Sequence, residues 1–254
     1  MIYGSETRVA SLTRIRRERV LPCPGEVLVN PGDRVESTQI VGRTTLPGDF
    51  RIVPVGRLLG VSTSDVAKYL RVDLGATVHR GDALAKREGL IGPTVTAPID
   101  GVLTATGGGR VLIEAKPVPF ELRAHLTGTV LSVERDQIIG LETAGTLIQG
   151  MWGTVGESVG SLKCLTRRPT EPLQVQAVDP ACRGTIVVAG LTLDQESIAR
   201  MQEVDARGLI TGGLAPELIS VARKLDFPVI VTDGFGEIAM MDRIFDLLIE
   251  QEGR

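Results

Sequence analysis

Three glycine-bearing segments are where this chain could do chemistry: Gly190-Leu191-Thr192, Thr211-Gly212-Gly213 and Thr232-Asp233-Gly234-Phe235-Gly236. Each follows an apolar run and precedes a helical pattern. That places all three at the carboxyl ends of expected parallel strands, where helix N-termini present N–H groups to a ligand. Glycine lets a backbone approach a bound group closely, and Thr192, Thr211, Thr232 and Asp233 add hydroxyls and a carboxylate that fix orientation. The candidate ligand-binding set is therefore Thr192, Thr211, Gly212, Gly213, Thr232, Asp233 and Gly234, suited to a small anion, a nucleotide or another small molecule. The competing reading is that these glycines serve tight turns and helix docking only. Neither a Gly-x-Gly-x-x-Gly run nor a phosphate-loop lysine decides between the two.

Other reactive residue types point away from catalysis. Gly156-Glu157-Ser158-Val159-Gly160 matches the nucleophile-elbow pattern, but an elbow needs a following helix and a downstream histidine. Leu162-Lys163-Cys164-Leu165 reads as strand and no histidine follows His125, so the segment is expected to be a turn and no catalytic residue is assigned. Asp33, Asp82 and Asp100 each stand near a glycine in a turn, where carboxylates accept main-chain N–H bonds. His79 and His125, the only histidines, read as surface residues. Cys23, Cys164 and Cys182 are odd in number, far apart and without a Cys-x-x-Cys pair, so neither a disulfide framework nor an iron-sulfur or zinc site is indicated. No metal and no cofactor are expected. Trp152, the single tryptophan, is either a buried anchor or a contact for a protein partner.

Composition narrows the partners. A net charge of -3 gives no global field to hold nucleic acid, so nucleic-acid binding is not expected. Arg8, Arg14, Arg16, Arg17 and Arg19 form a local basic cluster that reads as a solvated strand or as a binding patch. No apolar stretch nears the roughly 20 residues that span a bilayer, and the first residues lack the order of a secretion signal. The expectation is a cytoplasmic protein that does not insert into membranes. Aromatic residues make up only 3% while there are 30 glycines and 14 prolines, so the core must be built from Val, Ile and Leu on short strands between many turns.

The elements follow. Asn30-Pro31-Gly32-Asp33 and His79-Arg80-Gly81-Asp82 are two turns of one kind, each following a valine-bearing strand pattern, and a diverged internal repeat accounts for them. Ala97-Pro98-Ile99-Asp100-Gly101-Val102-Leu103 opens another strand, and Gly107-Gly108-Gly109-Arg110 turns it into Val111-Leu112-Ile113-Glu114. After Arg167-Arg168-Pro169-Thr170-Glu171-Pro172, the best linker, the period changes. Gly184–Gly190, Gly208–Thr211 and Pro228–Thr232 are apolar strands alternating with helical stripes, the first opened by a Thr192/Gln195 capping box, the second from Pro216 to Leu225 and the third from Ile238 to Ile249. Three βα units imply a small parallel sheet.

Residues 20 to 125, through Gly81-Asp82-Ala83-Leu84-Ala85 and Ala97-Pro98-Ile99-Asp100-Gly101-Val102, resemble the barrel-sandwich hybrid of biotinyl and lipoyl carrier domains. In that family a lysine at the hairpin tip carries the cofactor. Here the tip reads Gly89-Leu90-Ile91-Gly92 and Lys86 lies off it, so the resemblance implies a carrier fold that carries nothing. It is similar in this to the lysine-free versions in the C subunit of Rnf-type electron-transport complexes, whose cysteine-rich motifs the chain lacks. Residues 184 to 246 resemble the DRTGG domain through Arg207-Gly208-Leu209-Ile210-Thr211-Gly212-Gly213-Leu214 and Phe227-Pro228-Val229-Ile230-Val231-Thr232. The expected fold is multidomain, β plus α/β: a barrel-sandwich domain over 1–126, a small β-module over 127–170 and an α/β domain over 171–254. The expected function is a non-catalytic binding, scaffold or regulatory protein with a small-ligand site in the α/β domain. The alternative is an accessory subunit of a redox or carrier-type enzyme complex that docks through the barrel-sandwich domain.

Overall fold

A computed structural model describes residues 8–87 and 92–253. The structure is mostly β with few helices. In chain order it begins with β1 (Arg8–Val20), β2 (Glu26–Val27), β3 (Arg34–Val35), β4 (Ile40–Leu46) and β5 (Phe50–Val53). Two short helices, α1 (Val55–Leu59) and α2 (Val66–Tyr69), precede β6 (Thr77–Val78), β7 (Ala83–Lys86), β8 (Thr94–Thr96), β9 (Gly101–Gly107), β10 (Arg110–Glu114) and β11 (Val118–Arg123). The second half runs β12 (Gly128–Glu134), β13 (Ile138–Gln149), β14 (Trp152–Gly153), β15 (Leu162–Cys164), β16 (Ile186–Ala189), α3 (Gln195–Glu203), β17 (Gly208–Leu214), α4 (Ile219–Ala222), β18 (Val229–Phe235) and α5 (Asp242–Glu250). No described helix is long and apolar enough to cross a membrane.

The chain forms two compact units, one inserted in the other. The inserted unit comprises Leu21–Glu26 and Gly42–Glu121. Its sheet has the order β5-β10-β9-β6, with β7 and β8 paired antiparallel, over a core that includes Leu59, Leu84, Leu103 and Ile113. The expected hairpin tip falls mainly on residues 88–91, outside the described residues.

The enclosing unit takes the chain up to Val20, Val27–Val41 and everything from Leu122. One sheet has the order β1-β13-β12-β3, with β1 and β13 antiparallel from Arg8 opposite Gln149 to Val20 opposite Ile138. The other has the order β14-β18-β17-β16-β15; β15 to β18 are parallel and β14 runs antiparallel along the outer edge of β18. Its two faces are covered by different clusters. Val187, Leu209, Val229 and Val231 pack with Ile198 and Met201 of α3, whereas Val188 packs with Ile244, Phe245 and Leu248 of α5. Covering both faces is what makes β16 and β17 read as unbroken apolar runs.

Three sequence expectations shift. The first helix is capped by Asp194, whose Oδ1 accepts the Ser197 N–H at 2.7 Å, so the box at Thr192 does not form; Asp194 stands one residue before the first helical residue, where a carboxylate meets the N3 amide. The segment from Pro216 tightens into a 3-10 turn before the four residues of α4. The last helix starts at Asp242 rather than Ile238, because the main chain at Ile238 and Met240 lies against Gly213 and Gly212. As for the segment 127–170, β12 and β13 pair with β3 and β1, while β14 and β15 join the parallel sheet. Pairing therefore crosses the sequence boundaries at 126/127 and 170/171.

The twin turns have the same construction. Gly32 and Gly81 both adopt φ +96°, which an L side chain rarely takes. Asp33 Oδ2 accepts the Asn30 N–H at 2.8 Å, and Asp82 Oδ2 accepts the His79 N–H at 2.7 Å. Each turn then exchanges two main-chain bonds with a single residue, Val130 for the first and Ala97 for the second. Asp100 Oδ1 accepts the Arg80 N–H at 2.7 Å. The three aspartates thus hold backbone, and among the described residues no group of three His, Cys, Asp or Glu side chains could hold a metal ion.

Candidate functional site

The strands β16, β17 and β18 end on a cleft of about 470 Å³. Its walls come from Pro172, Leu173 and Gln174, from Thr192 through Gln195, and from Ala215, Glu217, Leu218 and Glu237. The volume lies within the range of ligand pockets, roughly 300–1,000 Å³. Leu173, Leu193 and Leu218 are buried and make an apolar wall, while Asp194, Glu217 and Glu237 put three carboxylates around it. Asp194 is held below the usual carboxylate range first by the Ser197 backbone N–H. Thr192 Oγ1 is buried without a hydrogen-bond partner among the described residues. An unmet buried hydroxyl costs about 1–3 kcal/mol, which a ligand atom bonded to it would recover.

Of the residues singled out by sequence, Thr192 lines this cleft. The others lie within the sheet and its crossing loop. Thr211 is fully buried and donates to Gly213 O at 2.9 Å. Thr232, also fully buried, donates to Asp233 Oδ2 at 2.6 Å and to Thr211 O at 3.2 Å. Asp233 Oδ2 in addition accepts the Met241 N–H at 3.2 Å, next to the start of α5. A Cβ on Gly212 would meet Gly190 O and Met240 N, both at 2.3 Å; one on Gly213 would meet Gly236 O at 2.3 Å; one on Gly234 would meet Ile238 Cδ1 at 2.7 Å. Their smallness admits the protein's own chain, and their polar neighbours tie β17 and β18 to the segment that leads into α5.

Trp152 is half-buried on β14. Its ring meets Phe235 edge to face, 5.6 Å between centroids, and packs against the cluster that holds α3. The residue closes the sheet edge and gives a single-site fluorescence reporter of this unit.

A second cluster was not singled out in the sequence. At the opposite, amino ends of β16 to β18, two adjoining clefts of about 430 and 360 Å³ share His125, Glu157, Ser158 and Pro228. Arg19 closes its guanidinium on Glu157 through two bonds of 2.6 and 2.8 Å, and this pairing draws the Glu157 carboxyl below its usual range. His125 adopts φ +56°, its Nδ1 is buried without a partner among the described residues, and burial pushes its pKa down. The members come from β1, the β11–β12 connection, and the 154–161 segment, so no local spacing announces them. The one signal was Gly156-Glu157-Ser158-Val159-Gly160, which forms no regular structure between β14 and β15 and leads into no helix. In the inserted unit, a cleft of about 600 Å³ runs beside the turn at His79; two of its polar side chains hold the turn, Arg80 Nε donating to Pro98 O at 2.9 Å and Asp100 Oδ1 accepting the Arg80 N–H.

Burial raises the pKa of two thiols, Cys164 and Cys182. Burial, and secondarily the Glu252 carboxylate, push Cys164 up to about 11. At pH 8 about one Cys164 in a thousand is then thiolate, so a disulfide reagent is expected to leave it unlabelled in the folded protein and to modify it at once in denaturant, as peptide mass mapping would show. Rapid native labelling at Cys164 would contradict that environment.

The chain matches no protein-family model, and a search of curated proteins finds no significant relative.

Proposed function

We propose that this is a non-catalytic binding protein, of scaffold or regulatory type, that takes a small molecule in the cleft at the carboxyl ends of β16 to β18. The observation that carries it is a ligand-sized cleft with an apolar wall and three carboxylates, lined by Thr192, whose buried hydroxyl has no partner among the described residues. The lining refines the ligand class. Three carboxylates repel the small anion expected from the sequence, and an apolar wall favours a body that brings its own hydrogen-bond donors, such as an amine or an amide. The resemblance to a DRTGG domain agrees with the parallel pairing of β16 to β18, and that to a lysine-free barrel-sandwich hybrid with the paired turns at Asp33 and Asp82.

A thermal-shift screen of small amines, amides and metabolites, read through Trp152 fluorescence, tests this. A true ligand at about 100 times its Kd stabilises by about 2.7 kcal/mol. Thr192→Val, which removes the unmet hydroxyl, should raise the unliganded melting point and take away most of the ligand's gain; a ligand whose effect survives the substitution binds elsewhere. The accessory-subunit reading draws on β5, an edge strand with Phe50 and Ile52 exposed. Recovery of a stoichiometric enzyme partner from the native host, lost with Phe50→Lys, would favour it over the first.

A further inference from the structure

We infer that the paired clefts at the amino ends of β16 to β18 form a second binding site, for the carboxylate or phosphate group of a small organic anion. Charge is the first reason. Arg17, Arg123 and Arg207 line these clefts with the carboxylates Glu157 and Asp226, and Arg19 stands beside them on Glu157, in a chain whose net charge is -3. The arginine-rich strand seen in the sequence divides by face, since alternate residues of a strand point opposite ways. Arg14 and Arg16 are paired with Glu142 at 3.8 and 2.8 Å. Arg17 and Arg19 lie on the other face, Arg19 committed to Glu157 and Arg17 an exposed residue lining the cleft.

Pre-positioning is the second reason. Arg207 Nη1 donates to Val159 O at 3.0 Å and Arg123 Nη1 donates to Thr38 O at 2.7 Å, so both guanidinium groups are oriented by main-chain carbonyls. Arg207 thereby uses one of its five N–H donors. Arg19 shows on the protein's own Glu157 how a carboxylate seats here, two-pronged on a guanidinium. The left-handed backbone of His125, held by its N–H donating to Ser37 O at 2.8 Å, is a strained conformation for a non-glycine residue of the kind that gathers at binding sites. The walls decide between a polyanion and a small molecule. Ile186, Leu209, Ile210 and Ile230 line one cleft and Phe227 and Pro228 the other, which suits an organic body behind the anionic group rather than a nucleic-acid backbone.

The full chain carries two histidines, one in this site and His79, exposed in the other unit, so imidazole resonances make a two-channel assay. At constant ionic strength, titration with benzoate is expected to move His125 along a saturating curve while His79 stays with the chloride control. Inorganic phosphate in a parallel titration separates a phosphate preference from a carboxylate one, saturation by either supporting the site. Benzamide, the uncharged counterpart of benzoate, should leave His125 in place. Arg17→Gln and, separately, Arg207→Gln alter exposed side chains and should weaken the benzoate or phosphate affinity about tenfold each, the worth of one charge-assisted hydrogen bond. Equal movement of both histidines, an effect of benzamide as large as that of benzoate, or unchanged affinity in both variants would overturn the proposal.

Discussion

Gly212→Ala is expected to cost the enclosing unit about 3 kcal/mol, at the upper end of what an added methyl does in a filled interior. The new Cβ would stand 2.3 Å from Gly190 O and 2.3 Å from Met240 N. Those two atoms are themselves bonded, Met240 N–H donating to Gly190 O at 2.7 Å, so neither can retreat without breaking the other's contact. The crossing segment would have to lift, and with it the Met241 N–H that Asp233 accepts. For a unit of this size the loss corresponds to a fall of roughly 6–12 °C in the apparent melting point followed through Trp152. Gly234→Ala is the control. Its Cβ would press on Ile238 Cδ1 at 2.7 Å, the far end of a flexible side chain, and should cost clearly less. Equal effects at the two positions would show that main-chain crowding at Gly212 is not the cause.

Phe245→Ala should be the most damaging single truncation in α5, at about 3–5 kcal/mol. Phe245 is 2% exposed and belongs to a cluster with Val188, Met240, Ile244 and Leu248, against which Val9 of β1, Ile148 of β13 and Leu162 of β15 also pack. The cluster that holds this ring thus joins the long antiparallel pair to the parallel sheet. Two consequences separate this from a local defect. The urea midpoint should drop with little change in slope, and amides of β1 and β13 should lose hydrogen-exchange protection together with those of β16. Phe245→Leu, which keeps much of the volume, should restore most of the stability. Protection lost in the parallel sheet alone would mean that the two sheets are stabilised independently.

Both effects rest on features that the sequence disclosed unevenly. Gly184–Gly190 and Pro228–Thr232 are legible as strands from their continuous apolar runs, and the structure carries the second on to Phe235. The turns at Gly32 and Gly81 were legible because glycine beside aspartate encodes both a φ value and a backbone acceptor. Two-residue β14 and three-residue β15 carry too few positions to show a period, so their place in the parallel sheet could not be read locally. Thr211–Gly213 and Thr232–Gly234, expected as loops beyond their strands, lie inside β17 and β18 instead, because glycine's sequence signature is the same whether the close neighbour is a ligand or the chain itself. Here it is the chain, through Gly190, Gly236, Ile238 and Met240. His125 was visible as a residue and invisible as a site, since its company arrives from segments far away in sequence.

The twin turns have a last consequence, for the order of events during synthesis. Gly81 donates to Ala97 and Gly32 to Val130, so turns of equal local geometry close loops of about 16 and about 100 residues, a difference of roughly 1.6 kcal/mol in chain entropy. On a growing polypeptide the later turn has its acceptor within a few seconds of emergence; the earlier one waits until the inserted unit has been made. In pulse-labelled refolding, protection at the Gly81 amide is accordingly expected before protection at Gly32. The insert would be an early-ripening kernel, and its two flanks would be strangers until the second half of the chain arrives to introduce them.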